Sequence, residues 1–194
     1  MSKSDSSASR KERNKTIRWV VTIFIATIFI SGTISFFSDL IMEKSSIPVA
    51  FLILLGIVLI GIVFDVIGVA VTSADEKPFH SMAARKVPGG QEAIRLLRNA
   101  ERVSSICNDV VGDICGVVSG SASATIAVQV LQNFDFSWPQ IVSLLMSAFV
   151  AALTVSGKAV GKTLAINSCT KIVSGVGTVI YFLSHIGELF QKKK

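Results

Sequence analysis

The chain has 194 residues, of which 51% are hydrophobic and 16% are charged. Soluble domains usually carry about 25% charged residues, so this composition excludes an ordinary soluble domain and indicates an integral membrane protein. The formal net charge is +6, but the basic residues are sorted into separate polar segments rather than collected on one soluble face. This distribution argues against a nucleic-acid-binding protein.

The N-terminal region combines a polar tail with a first apolar run. Residues 1–16 are rich in serine and basic residues, a composition typical of a disordered tail. Residues 17–38 are long and apolar enough to cross a membrane, and we predict the first span there. A cleaved signal peptide is the alternative, because the small residues of SGTIS at 31–35 resemble a cleavage site.

The second span is predicted over residues 47–72, followed by a surface hairpin over 75–104. Pro78 stands where a helix would start, and Pro88-Gly89-Gly90 is a turn signal. After the turn, apolar residues fall at helical spacing up to Val103, with Arg95, Arg98 and Arg102 on the outer face. This pattern predicts a juxtamembrane helical hairpin that lies at the cytoplasmic membrane surface.

Two further spans and a C-terminal helix complete the prediction. The third span covers about 105–131, the fourth covers about 139–160, and the transmembrane domain as a whole covers 17–162. Residues 163–194 are weakly amphipathic and end in three lysines, which favours an interfacial helix with a basic tail, with a fifth span as the alternative. The expected fold is therefore an all-α polytopic membrane bundle of four transmembrane helices.

The distribution of lysine and arginine orients these spans. Six lie in the N-terminal region up to Arg18, six in the hairpin, and six from Lys158 to the C-terminus, whereas the first loop has one and the loop at 133–138 has none. Cytoplasmic segments carry the excess of basic residues. We therefore predict a multi-pass protein of the cell membrane with both termini cytoplasmic and anionic lipid headgroups as partners of its basic segments.

The stretch SGKAVGKTLA at residues 156–165 is similar to the end of a phosphate-binding loop. That loop needs four residues between its two glycines, whereas Gly157 and Gly161 enclose three. A long apolar run precedes the stretch instead of a short strand. We therefore predict no nucleotide at 157–163, and the chain offers no Ser/His/Asp or Cys/His arrangement that would indicate an enzyme.

The third span carries small residues at every fourth position, Gly112, Gly116, Gly120 and Ala124. Such a ribbon lets two helix backbones approach closely in lipid. It would serve either packing within the bundle or a homodimer.

Acidic residues within or near the apolar spans are Asp65, Asp109 and Asp113. A charge at the centre of a span costs about 2.5–3.5 kcal/mol on insertion scales, so such residues usually have partners inside the bundle. Lys158 ends the fourth span on the side where the second ends and the third begins. Two hypotheses follow: a polar site for a cation or proton, or an internal ion-pair cluster in which an aspartate contacts Lys158 or Lys162.

From about residue 50 to 175, the chain resembles the transmembrane domain of the CNNM/CorB/CorC family, which is linked to magnesium export. The matching stretches are Phe64–Ala70, Asn108–Gly112 and Gly157–Ala165. They are similar, in that order, to the family motifs F-S-x-x-E-x-A, N-N-x-V-N and G-E-x-x-P-K-T-x-A. The resemblance implies a homodimer of helical bundles with an inward-facing acidic cavity that binds a divalent cation.

Carried over by position, the resemblance places the family's cation site at Asp65, Asn108 and Lys158. A lysine stands where the family has the glutamate of G-E, and an ammonium group has no lone pair for a metal. The CBS pair and the C-terminal domain of the family are absent from this sequence. The expected polar site is Asp65, Asn108, Asp109, Asp113 and Lys158, with Asp65, Asn108 and Asp109 as candidate metal ligands. No cofactor is expected, and Mg²⁺ would be a bound or transported ion.

Overall fold

The computed structural model describes residues 3–43, 45–134 and 138–191, with side chains described for 17–42, 45–134 and 138–185. Every regular element in these ranges is a helix, which confirms the predicted all-α class. Four helices are long and apolar enough to cross a membrane, as predicted: their apolar parts are Ile17–Met42, Ile47–Ser73, Ala100–Asn133 and Pro139–Asn167.

The first helix, α1, spans Lys3–Glu43. Its start differs from the prediction of a disordered tail over residues 1–16, since the backbone is helical from Lys3 onward and only residues 1 and 2 lie outside the described part. Lysine, arginine, glutamate and alanine in this segment are good helix formers. The helix that the apolar run forms therefore propagates towards the N-terminus, because extending a helix is easier than starting one.

The second helix, α2, spans Ile47–Ser73 and begins with Pro48 in its first turn. Proline suits that position because the first amide groups of a helix have no partner within it. Except for Ala70, the buried residues of α2 recur every three or four positions, which places them on one face of the helix. They are Ala50, Leu54, Val58, Gly61, Asp65, Gly68, Ala70 and Val71.

The predicted hairpin forms two short helices, α3 at Lys77–Ala84 and α4 at Gly90–Arg98. Gly89, just before α4, has φ of 84°, a left-handed conformation that glycine adopts without steric cost. The hairpin is shorter than predicted, because α4 ends at Arg98 and Asn99 breaks the helix.

The third long helix starts at Ala100 rather than at residue 105. It consists of α5 at Ala100–Ser105, a π-helix at Ile106–Gly112 and α6 at Asp113–Asn133. Arg102, predicted on the outer face of the hairpin, belongs to this helix and lies 5.7 Å from the ring centre of Trp19 on α1. The cation–π contact gives the charged start of the third helix a partner, which the hydropathy pattern alone does not indicate.

The remaining helices are α7 at Pro139–Asn167 and α8 at Cys169–Gln191, separated by a break at Ser168. Helix α8 lies against α2, α4 and α7. At its contact with α4, a Cβ atom on Gly177 would lie 2.6 Å from the carbonyl oxygen of Gly89. Gly177 therefore allows the backbones of α8 and α4 to touch.

Helix α2 contacts each of the other long helices and joins two hydrophobic clusters. The first cluster lies towards the start of α2 and contains Met42, Ala50, Leu54, Val58, Ala122, Ile126 and Val150. The second lies at its end and contains Ala70, Val71, Phe79, Ala93, Leu97, Ala165 and Val173. Asp65 lies on α2 between the two clusters, which sets the position of the polar site.

Candidate functional site

The stretch predicted not to bind nucleotide is a helix-packing surface on α7. A Cβ atom on Gly161 would lie 2.7 Å from Cγ2 of Val66, and one on Gly157 would overlap the end of the Ile62 side chain. Ile62 and Val66 are one turn apart on α2, as the two glycines are on α7. The missing side chains let α7 approach α2 closely, which brings the intervening Lys158 to the polar part of α2.

Lys158 forms an ion pair with Asp65 across this packing surface. Its Nζ lies 3.8 Å from Oδ1 of Asp65, and the side chains are 24% and 6% exposed respectively. This separation exceeds the usual 2.7–3.2 Å of a hydrogen bond, so the attraction is that of two charges in a poorly solvated place. Gly112 borders the pair, since a Cβ atom there would lie 3.3 Å from Nζ and 3.8 Å from Oδ1.

Asn108 comes to the same part of α2 from the π-helix. Its side chain packs directly on Gly68, which is three residues after Asp65 and on the same face. The amide Nδ2 of Asn108 donates a hydrogen bond of 3.2 Å to Oγ of Ser104. A π-helix is rare and often marks a functional site, and this one turns Asn108 towards α2.

Two buried oxygens of this cluster accept no hydrogen bond from the described part of the chain. They are Oδ2 of Asp65 and Oδ1 of Asn108. Buried acceptors without a partner are uncommon, because each one loses the hydrogen bonds that water would provide. Oδ2 of Asp65 therefore has unused capacity for a hydrogen-bond donor or a cation, whereas Oδ1 of Asn108 packs against Gly68 one turn further along α2.

Asp109 and Asp113 do not share this buried environment. Both are exposed, and Oδ2 of Asp109 accepts a hydrogen bond of 2.8 Å from Oγ of Ser105 on its own helix. The structure thus pairs Asp65 with Lys158, packs Asn108 one turn further along the same face of α2, and places the other two aspartates on the outer face of the third long helix. Lys162, the second candidate partner for an aspartate, is also exposed.

The donor set suits a single positive charge better than a divalent ion. One carboxylate, Asp65, already faces one ammonium, so the pair is neutral overall, and a divalent cation beside Lys158 would be repelled. Among the described residues, no three or more His, Cys, Asp or Glu side chains are grouped closely enough to hold a metal ion. A metal ion would therefore have to rely on Asp65 and the amide oxygen of Asn108, with Lys158 displaced.

The small-residue ribbon of the third helix is only partly inside the bundle. Gly112 is buried beside the ion pair, whereas a Cβ atom on Gly116 or Gly120 would meet no atom within 4 Å. Gly120 and Ala124 are exposed. Packing within the chain therefore uses the first residue of the ribbon and leaves the rest on an outer surface.

The glycines that pack most closely are ones for which sequence reasoning assigned no packing role. Besides Gly157 and Gly161, they include Gly68, which faces Asn108, and Gly61, where a Cβ atom would lie 2.9 Å from Cβ of Cys115. The signal for the α7 pair was present, since glycines four residues apart in an apolar helix favour close helix packing. The lysines that follow these glycines make the stretch similar to a phosphate-binding loop, which hides the packing signal.

No model of a known protein family matches the chain, and neither a curated protein nor a solved structure matches it.

Proposed function

We propose that this chain is a multi-pass membrane protein of the CNNM/CorB/CorC type in which a lysine of the protein serves as the cation of the polar site. The motifs at Asp65, Asn108 and Gly157–Ala165 support the family proposal. The observation that carries the functional proposal is the ion pair between Asp65 and Lys158 on the α2–α7 contact. In this proposal Lys158 fixes the packing of the two helices, and the bundle acts as a membrane scaffold.

The membrane part of the proposal is supported by the four long apolar helices and by their outer surfaces. Large apolar side chains are exposed along each of them, as on Phe29, Leu52, Val117 and Leu144, which are between 65% and 71% exposed. Such surfaces suit lipid rather than water. The distribution of basic residues supports cytoplasmic termini, and cysteine-accessibility labelling on intact cells tests this orientation.

A second candidate function, the binding or transport of a divalent cation such as Mg²⁺, is favoured by a separate observation. Oδ2 of Asp65 and Oδ1 of Asn108 are buried acceptors without a partner among the described residues. Oxygen atoms of this kind are the ligands that magnesium prefers, often through its water shell. Here the ion would bind when Lys158 moves away from Asp65, so lysine and ion would compete for the same carboxylate.

A magnesium titration of the purified full-length protein separates the two functions. A ligand that binds the folded state raises the unfolding midpoint with its concentration. The scaffold proposal expects no response in the wild type but a response in Lys158→Glu, which gives the site a second carboxylate. The exposed neighbour provides the control, since Lys162→Glu changes the same charge outside the site and is expected to behave like the wild type.

The cation-transport candidate expects the opposite pattern. The wild-type midpoint would rise with magnesium chloride, and Asp65→Asn would remove the rise. Sodium chloride at equal ionic strength controls for screening. A wild-type response that Asp65→Asn removes would overturn the scaffold proposal. If magnesium changes the unfolding midpoint of neither the wild type nor Lys158→Glu, the residues around Asp65 do not form a cation site even without the lysine.

A further inference from the structure

An open apolar groove of about 810 Å³ runs between α2 and α8. Residues of α2 from Ile62 to Ile67 and of α8 from Lys171 to Leu183 line it, together with Leu96, Val103 and Cys107. Fifteen residues line it, and Lys171 is the one among them that carries a charge. The volume falls within the range of about 300–1,000 Å³ that is usual for small-molecule sites.

The surface around this groove has the character of a lipid-facing surface. Val63 on α2 is 52% exposed, and Val179 and Leu183 on α8 are 58% and 64% exposed. Water gains few hydrogen bonds in an apolar groove, so a hydrocarbon chain is the more favourable occupant. Since the groove opens beside α2, one of the four long apolar helices, a chain in the surrounding bilayer reaches it without crossing polar surface.

The position of Lys171 relative to the groove fits a phospholipid rather than a free hydrocarbon. The residues of α2 that line the groove lie 6–11 residues before the end of α2 at Ser73, which is about 9–17 Å along the helix and within one leaflet. Lys171 lies close after the break between α7 and α8, where a long apolar helix ends. It is exposed and forms no ion pair with any described residue, so its ammonium is available to an anionic headgroup.

We propose that this groove binds one acyl chain of an anionic phospholipid, with Lys171 on the lipid phosphate. The chain covers the apolar faces of α2 and α8 together and so holds α8 against the bundle. Basic residues between helices at the cytoplasmic side are a known way of holding anionic headgroups. The proposal is independent of the ion pair at Asp65 and holds for either function of that site.

The test uses the full-length protein in a neutral detergent. Phosphatidylglycerol and phosphatidylcholine with identical chains are titrated, and the thermal unfolding midpoint and the number of lipids retained in native mass spectrometry are measured. The wild type is expected to saturate with one retained phosphatidylglycerol and to prefer it over phosphatidylcholine. Lys171→Gln is expected to raise the half-saturating concentration of phosphatidylglycerol about fivefold. The half-saturating concentration of phosphatidylcholine is expected to change much less, because the choline cation already compensates the charge of its phosphate.

A second variant tests the chain site separately from the charge. A Cβ atom on Gly175 meets no atom within 4 Å, so Gly175→Leu fills the groove without a backbone clash and is expected to remove the binding of both lipids. Gly32→Leu is the matched control, because Gly32 on α1 also has open space around it and does not line the groove. Lys162→Gln on α7 controls for the loss of one exposed lysine.

Four results would overturn the proposal. The first is unchanged phosphatidylglycerol binding in Gly175→Leu, and the second is an unchanged lipid preference in Lys171→Gln. The third is a wild-type dimer, detected by light scattering, that dissociates in Gly175→Leu, because a second copy of the chain would then cover the groove. Glycerol 3-phosphate is expected not to compete with phosphatidylglycerol for the site. The fourth result is competition by glycerol 3-phosphate as strong as that by the lipid, which would assign the site to a free phosphate.

Discussion

Two helices carry glycines spaced by four residues, and they use them in opposite ways. On α7, Gly157 and Gly161 face the side chains of Ile62 and Val66 so closely that a Cβ atom at either position would overlap them. On α6, Gly116 and Gly120 have the same spacing, yet a Cβ atom at either position would meet nothing within 4 Å.

Glycines spaced by four residues therefore create a flat helix face, but whether another helix packs on that face depends on the side chains of the neighbouring helix. Helix α2 presents two β-branched residues one turn apart, and these fit between the glycines of α7. No described helix presents a comparable pair to the outer face of α6. Substitutions at the glycines of α7, α8 and α6 and at the lysines of α7 test this contrast.

Gly161→Leu is expected to have the largest effect, because a leucine would have to displace Val66, whose side chain has little rotational freedom in a helix. Overpacking of this kind costs up to about 3 kcal/mol in the free energy of unfolding. Denaturant unfolding in detergent micelles measures it. Gly120→Leu is the matched control and is expected to lose none of this stability; equal losses in the two variants would remove the contrast.

On α8, Gly177 lies against another backbone, whereas Gly175, two residues before it, has open space around it. Gly177→Ala tests this difference. The added methyl group would contact the backbone at Gly89 and Ala93, which cannot move aside as a side chain can, and we expect a loss of about 2 kcal/mol. Gly175→Ala is the control and is expected to be neutral or stabilising. Limited proteolysis of α8 provides a second measurement. Faster cleavage in Gly175→Ala as well as in Gly177→Ala would contradict the assignment of Gly177 alone to the contact with α4.

Lys158→Ala and Lys162→Ala compare the two lysines that directly follow the α7 glycines. Lys158→Ala leaves the buried Asp65 without its counter-charge, and we expect a loss of about 1–2 kcal/mol in the free energy of unfolding. Lys162→Ala, which removes an exposed lysine four residues later, is expected to change it by less than about 0.5 kcal/mol. The double variant Lys158→Ala with Asp65→Asn should regain part of the loss, and additive losses would mean that the two side chains do not interact.

Alanine at Gly116 and Gly120 is expected to have the smallest effect on the folded chain. Each change should stabilise it by about 0.5–1 kcal/mol, since alanine is the better helix former and nothing obstructs the methyl group. Thermal unfolding checks this, and energy transfer between labelled copies in micelles measures self-association. Weaker self-association in these variants would mean that the homodimer uses this face, and its Cβ positions would then not be open.

The sequence was sufficient to predict the helical class and the four long apolar helices, because hydropathy over about twenty residues reflects a single physical requirement. It misplaced the start of the third helix by five residues. The charged residues of Ala100–Ser105 are typical of a surface helix, so the segment was assigned to the hairpin. The contact of Arg102 with Trp19 depends on a helix far away in sequence. The helical start at Lys3 was missed because polar composition says little about a segment that continues an existing helix.

The candidate site was predictable from the sequence only in part. The pairing of an aspartate with Lys158 was expected as one of two alternatives, since the ends of three spans meet on one side. The exposure of Asp109 and Asp113 could not be predicted, because the face on which they lie depends on how the third helix is rotated against α2. That rotation is altered by the π-helix, which has no recognised signature in the sequence.

The π-helix at Ile106–Gly112 makes this rotation dependent on a single residue. Its hydrogen bonds join residues five apart instead of four, so the segment contains one residue more than the corresponding stretch of an α-helix would. Deleting one residue here would restore an ordinary helix and turn everything on one side by about 100° relative to the other. The residues before and after the segment would then no longer keep their present faces towards α2, so the polar site depends on the length of this short segment as well as on Asn108 within it.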